Sequence, residues 1–147
     1  MSRTEGTIYE QAGYPEELVV DFSNQETRRR LSPSAIRAFT NIAEKWNLSE
    51  IQARSLLGGI ASSTLHAWKS KPDERVLDKN AITRISLIIG IYKALHTYFG
   101  PVADHWIANP NDGPLFGGIS PIEYMVTTDI IGMYEVRRML DSWSAGH

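Results

Sequence analysis

The residues best suited to chemistry follow a glycine pair. Ser62, Ser63, Thr64, His66, Lys69 and Lys71 come shortly after Gly58-Gly59. Leu65 and Trp68 lie three apart and supply the inward face of a short helix, leaving Ser62, Ser63, His66, Lys69 and Lys71 for solvent or a ligand. Hydroxyls and an imidazole near a helix N-terminus can bond base edges, and ammonium groups suit phosphates. Helix, glycine-containing turn and short polar-faced helix is the layout of a helix-turn-helix, whose second helix enters the major groove. A purely structural helix hairpin has the same layout.

Catalytic chemistry finds no comparable grouping. His66, His96, His105 and His147 show no metal-ligand spacing with acids on one helix face. The chain has no cysteine, which excludes a disulfide scaffold and thiolate metal sites and fits a reducing cytosol. No glycine-rich phosphate loop follows a strand. Gly117-Gly118 precedes a helix start that can receive an anion, but Glu123 in the first turn opposes one. The reading is a non-enzyme with no catalytic residue, no metal and no cofactor.

Charge is distributed unevenly around a net −2. Residues 31–100 carry nine Lys or Arg against five acids, whereas residues 101–147 carry two Arg against six acids. A basic middle suits a polyanion, and an acidic C-terminal third suits a basic partner. A solvated surface with random charge drift produces the same contrast. Met1-Ser2-Arg3-Thr4-Glu5-Gly6 lacks a basic region followed by an apolar run, so no signal peptide is expected. Ala81 to Phe99 is interrupted by Arg84, Lys93 and His96, which makes it a core helix rather than a membrane span. A cytoplasmic protein with no membrane partner is expected.

Helices must position these groups. Residues 1–31, with Gly6, Gly13 and Pro15, read as a flexible or partner-ordered arm. Ser32-Pro33 then reads as the start of the first helix, with Ile36, Phe39, Ile42, Ala43 and Trp46 as its buried stripe. Ser49 and Gln52 form a capping-box start, and Gly58-Gly59 ends that helix. Asp78 caps the longest helix, which is apolar on more than one face and therefore central or in a homodimer interface. A helix over 102–107, a turn-rich loop from Ala108 to Gly118, and a capped start at Ser120-Pro121 follow. Asp129 caps the last helix, whose Met133, Val136, Leu140 and Trp143 repeat at three and four. Arg137 and Arg138 are read as exposed, opposite that stripe. The fold class is all-α, with seven helices. A helix-turn-helix domain over 32–100 is joined through the central helix to a small helical domain over 101–147.

The run Leu56-Leu57-Gly58-Gly59-Ile60-Ala61-Ser62-Ser63-Thr64-Leu65-His66-Ala67-Trp68-Lys69 resembles the helix-turn-helix of Xre/MbcA/ParS-type antitoxins. Trp106, Asn109-Pro110-Asn111, Phe116-Gly117-Gly118, Ser120-Pro121, Val136-Arg137-Arg138 and Leu140-Asp141 resemble that family's toxin-binding domain. The resemblance implies a type II antitoxin paired with a RES-domain toxin, a small enzyme that degrades NAD. It also implies repression of the shared operon through operator DNA. By position, the toxin-facing residues would be Asn109, Asn111, Phe116, Gly117, Gly118, Arg137, Arg138, Ser144, Ala145, Gly146 and His147. This chain departs from the family in having Ser62 and Ala67 where basic residues are common. It also has Thr127-Thr128 where a glycine tends to separate the last two helices. The other readings are a helix-turn-helix regulator without a toxin, and a scaffold or partitioning protein.

Overall fold

Asn24, not Ser32, starts the first described helix. Its side chain accepts from the Thr27 N–H at 3.0 Å, as an N-cap should. In the computed structural model, which describes residues 20–146, helix α1 spans Gln25–Lys45. The expected arm over 1–31 is therefore corrected at its end, since residues 25–31 are helical. That turn is polar (Gln-Glu-Thr-Arg-Arg-Arg), so no apolar period announced it. Arg28 anchors it instead, donating to the carbonyls of Phe22 at 2.7 Å and Leu77 at 3.1 Å.

Ser32 has a different task from capping. It is buried within α1, where its hydroxyl donates to the Arg28 carbonyl at 2.6 Å and accepts from Leu77 N–H at 2.9 Å. Pro33 lies inside the helix. Ile36, Phe39, Ile42 and Trp46 are buried, as the stripe predicts.

Helix α2 (Glu50–Leu56) begins with both arms of the Ser49–Gln52 capping box formed. Gly58 and Gly59 adopt φ of 94° and 79°, the left-handed conformation that ends the helix, and α3 (Ser62–Ser70) follows. Asp78 accepts from Ala81 N–H at 2.8 Å and opens α4 (Lys79–Phe99). Short α5 (Ala103–Ala108) and the long C-terminal α6 (Pro121–Gly146) complete the described chain, which is all-helical. No described helix is long and apolar enough to cross a membrane.

Helix α4 is the centre. It packs against α1, α5 and α6, and Ile82, Ile85, Ile88, Ile91 and Leu95 are all buried. Each such side chain contributes roughly 1.5–3 kcal/mol by leaving water. Helix α6 is broken at Asp129, where φ is 63° and ψ is −150°. The glycine that permits close packing there is Gly132. A Cβ on it would lie 1.6 Å from Thr128 Oγ1, so Thr128 and Gly132 fit only as a pair.

Arg137 also lies inside this packing. A Cβ on Gly90 of α4 would fall 1.8 Å from Arg137 Nη1, so the guanidinium occupies space that only glycine leaves. Gly90→Ala is expected to destabilise the protein by about 1–3 kcal/mol through overpacking. Adding Arg137→Ala to that variant should cost less than the sum of the two single changes. Thermal and urea unfolding followed by circular dichroism at 222 nm measures both, and strict additivity would contradict the contact.

Candidate functional site

The exposed side of α3 gathers most of the side chains expected to meet DNA. Ser63, His66, Lys69 and Lys71 are exposed, while Ser62 and Thr64 are half-buried. Leu65 is buried and Trp68 packs against the core. The N-terminus of α3 has no side-chain cap, which leaves its first N–H groups open. Arg54 donates from Nε to the Ile60 carbonyl at 2.8 Å and so holds the turn between α2 and α3.

One acid unforeseen from the sequence sits on this side. Glu50, the first residue of α2, accepts from Ser62 Oγ at 2.6 Å and lies 3.1 Å from His66 Nε2. The Ser62 hydrogen bond, followed by that of His66, holds its carboxyl below the ordinary range despite some desolvation. Ser62 and His66 are thus not free side chains but two arms of one network.

The C-terminal third is organised around its loop. Asn111 N–H donates to the Ile119 carbonyl at 3.1 Å, and Gly118 N–H donates to the Asn111 carbonyl at 2.9 Å. Asn109 donates to the His105 carbonyl and Asn111 accepts from Gly113 N–H. Phe116 is buried, meeting Trp106 and Tyr124 edge-on at 5.8 and 5.5 Å. Gly117 and Gly118 are exposed at φ of 60° and 98°. The Asn side chains and Phe116 are therefore engaged within the loop and its neighbours.

Arg137 corrects the reading of the last helix. It is buried, and its Nε donates to both carboxylate oxygens of Asp141 at 3.0 Å. Four residues after Met133 and three before Leu140, it shares the buried side of the helix. Arg138 is exposed, as is Ser144. The side chain of Ala145 and the structure of His147 lie outside the described residues, although the helix runs to Gly146.

A second buried guanidinium joins the two halves. Arg84 of α4 has its side chain only 8% exposed and grips Asp129 at 2.6 and 3.3 Å. Its Nε donates to Asn80 Oδ1 and lies 3.1 Å from where a Cβ on Gly58 would be. Arg84 therefore touches the helix-turn-helix turn and the break in α6 together. Those hydrogen bonds hold the Asp129 carboxyl below the ordinary range, against a smaller desolvation effect.

Comparison with known proteins agrees with this division. Residues 24–90 match the antitoxin Xre-like helix-turn-helix domain, and residues 94–146 match the antitoxin Xre/MbcA/ParS C-terminal toxin-binding domain. An uncharacterized protein of Sinorhizobium fredii (strain NBRC 101917 / NGR234), y4oB, is 35% identical over 116 residues, covering 78% of this chain and 87% of that relative. The chain belongs to the Xre/MbcA/ParS antitoxin family. No solved structure matches it.

In this antitoxin the sequence left two further exposed apolar side chains unnoticed. Ile131 is 69% exposed and Tyr134 44%, on the toxin-binding domain's last helix. Their spacing of three, with Arg138 four further on, is itself a helical stripe, offset from Met133, Val136 and Leu140.

The Asp129 pair has a defined pH signature. Its folded carboxyl is depressed, so the stability it contributes is present above the unfolded value and lost as pH falls through the folded one. Asp129→Asn should cost about 1 kcal/mol at pH 7, since the carboxylate is largely exposed and screened. The gap to wild type should close as pH falls below about 4, where the unfolded carboxyl protonates. Urea unfolding across pH 2.5–7 measures it, and a pH-independent gap would contradict the pair.

Proposed function

We propose that this antitoxin neutralises a RES-domain, NAD-degrading toxin, represses their shared operon as a cytoplasmic homodimer, and has no catalytic activity of its own. The observation that carries the reading is the meeting of the two family matches, 24–90 and 94–146, along one unbroken helix, Lys79–Phe99. One rigid element then presents α3 to DNA and α6 to the toxin. The exposed Tyr98 and Val102 near the end of α4 offer apolar area for a second copy.

For the toxin, the reading keeps Asn109, Asn111, Gly117, Gly118 and the tail Ser144, Ala145, Gly146 and His147, with Arg138 as the leading cation, whereas the buried Phe116 supports the loop from beneath. Ile131 and Tyr134 join it, because aromatic and arginine side chains dominate interface energetics. Arg137 acts from behind, by fixing how α6 lies on α4. The acidic excess of residues 101–147 supports attraction to a basic cleft.

Tyr134→Ala with Arg138→Glu should weaken toxin binding by about tenfold or more and abolish protection, leaving the melting curve unchanged. Removing the residues after Trp143 should reduce protection and spare folding. Cellular NAD and growth on co-expression with the cognate toxin measure both, and full protection by both variants would place the interface elsewhere. On the DNA side, Lys69→Ala with Lys71→Ala should weaken binding to all duplexes and flatten the salt dependence by about two counterions. Fluorescence anisotropy between 50 and 300 mM salt gives the slope, and an unchanged slope would remove α3 from the phosphate backbone.

A further inference from the structure

The Glu50 network has a polarity. Glu50 Oε2 accepts from Ser62 Oγ at 2.6 Å, its Oε1 faces His66 Nε2 at 3.1 Å, and Arg54 Nη1 stands 3.9 Å from Oε2. An ionised carboxylate only accepts, so the nitrogen facing it must carry the hydrogen. In the neutral imidazole the other nitrogen, Nδ1, is then left as an acceptor. No described side chain is bonded to His66 Nδ1, and the His66 side chain is 63% exposed. Ser62 spends its only hydroxyl hydrogen on the same carboxylate, so its oxygen is likewise left with lone pairs alone.

We propose that Glu50 is a positioning residue for base reading: it turns both Ser62 and His66 into hydrogen-bond acceptors and so directs His66 to adenine or cytosine. This rests on the reading that α3 enters the major groove. There, adenine N6 and cytosine N4 are the donors, whereas guanine and thymine present acceptors. An acceptor Nδ1 pairs with the first two and is repelled by the others. The carboxylate also disfavours phosphates near Ser62 and His66, which steers these two side chains to bases. Glu44 and Lys69 line the cavity of about 330 Å³ beside Glu50, so the anionic centre has one cation at its rim besides Arg54. The signal legible in the sequence is only the acid at the start of α2. Its meeting with residues 62 and 66 needs the turn at Gly58-Gly59.

The test uses the full chain and a random-sequence duplex library at pH 8, with sequencing of the enriched DNA. Nitrogen-15 NMR of the imidazoles reports the tautomer directly. Wild type should show His66 with hydrogen on Nε2, and one base position enriched in adenine or cytosine. His66→Ala should lose that preference. Glu50→Ala should mix the tautomers and reduce discrimination at the position by about five- to tenfold. Glu50→Gln, whose single carbonyl oxygen accepts from only one of Ser62 and His66 while its NH2 group donates to the other, should likewise mix the tautomers and weaken the preference. A merely structural Glu50 would lower affinity for all duplexes together and leave the preference intact. Unchanged preference in Glu50→Ala, or hydrogen on Nδ1 in wild type, overturns the proposal while DNA binding stands. A wild type that enriches no sequence overturns the DNA-binding reading and the proposal with it.

Discussion

Two arginines inserted between the central helix and the C-terminal helix govern this structure. Arg84 projects from α4 to Asp129, and Arg137 projects from α6 onto the bare backbone of Gly90. Taking a guanidinium out of water is costly unless its charge is met, and each has a carboxylate partner, Asp129 and Asp141. Such pairs add little net stability compared with well-packed apolar groups. In both the guanidinium is buried while the carboxylate keeps contact with water, so each charge is met at a modest desolvation cost. Their consequence is register: α6 can lie on α4 in only one way. Arg84 bonds across the helix contact to Asp129, and Arg137, paired within α6 to Asp141, fills the space at Gly90 from the opposite side, which resists sliding.

The same pairs explain an uncommon backbone. Asp129, at φ 63° and ψ −150°, occupies a region that is nearly exclusive to glycine and costs about 1–3 kcal/mol for other residues. A glycine would relieve that strain but has no carboxylate for Arg84. The chain thus holds a strained residue where its helix-turn-helix and toxin-binding domains meet, and Arg84 supplies the compensating contact. Because Arg84 also lies beside Gly58, the turn before α3 and the break in α6 share one side chain. Tyr124 donates to Glu135 across the break, and this bond holds the Tyr124 hydroxyl above its ordinary range.

Much of the surface chemistry follows from these constraints. The loop from Asn109 to Gly118 satisfies its own polar groups, and Phe116 is drawn into a chain of rings with Trp106, Trp143 and Phe99. With Arg137 enclosed, the last helix shows the solvent Ile131, Tyr134 and Arg138. An apolar, an aromatic and a guanidinium group on one helix face form a surface with little to bind within its own fold.

Local signals in the sequence determined the helices. Capping side chains at Ser49, Asp78 and Ser120, the glycines at 58 and 59, and apolar periods of three and four act over a few residues, and all are realised. The start of α1 escaped because Gln25 to Arg30 lacks an apolar period and its anchor, Leu77, is distant in the chain. The family motifs were legible as a pattern, but not the task of each residue within it. Arg137 and Arg138 are adjacent and chemically identical, yet Gly90 leaves room for one of them alone. Ser62 and His66 read as open to solvent or a ligand until Glu50 is brought against them. A side chain's polarity and reach belong to its type, whereas its partner depends on which distant backbone the packing brings alongside. Only the tertiary structure decided that, because burial of a charge is settled by the space and the counter-charge that other helices provide.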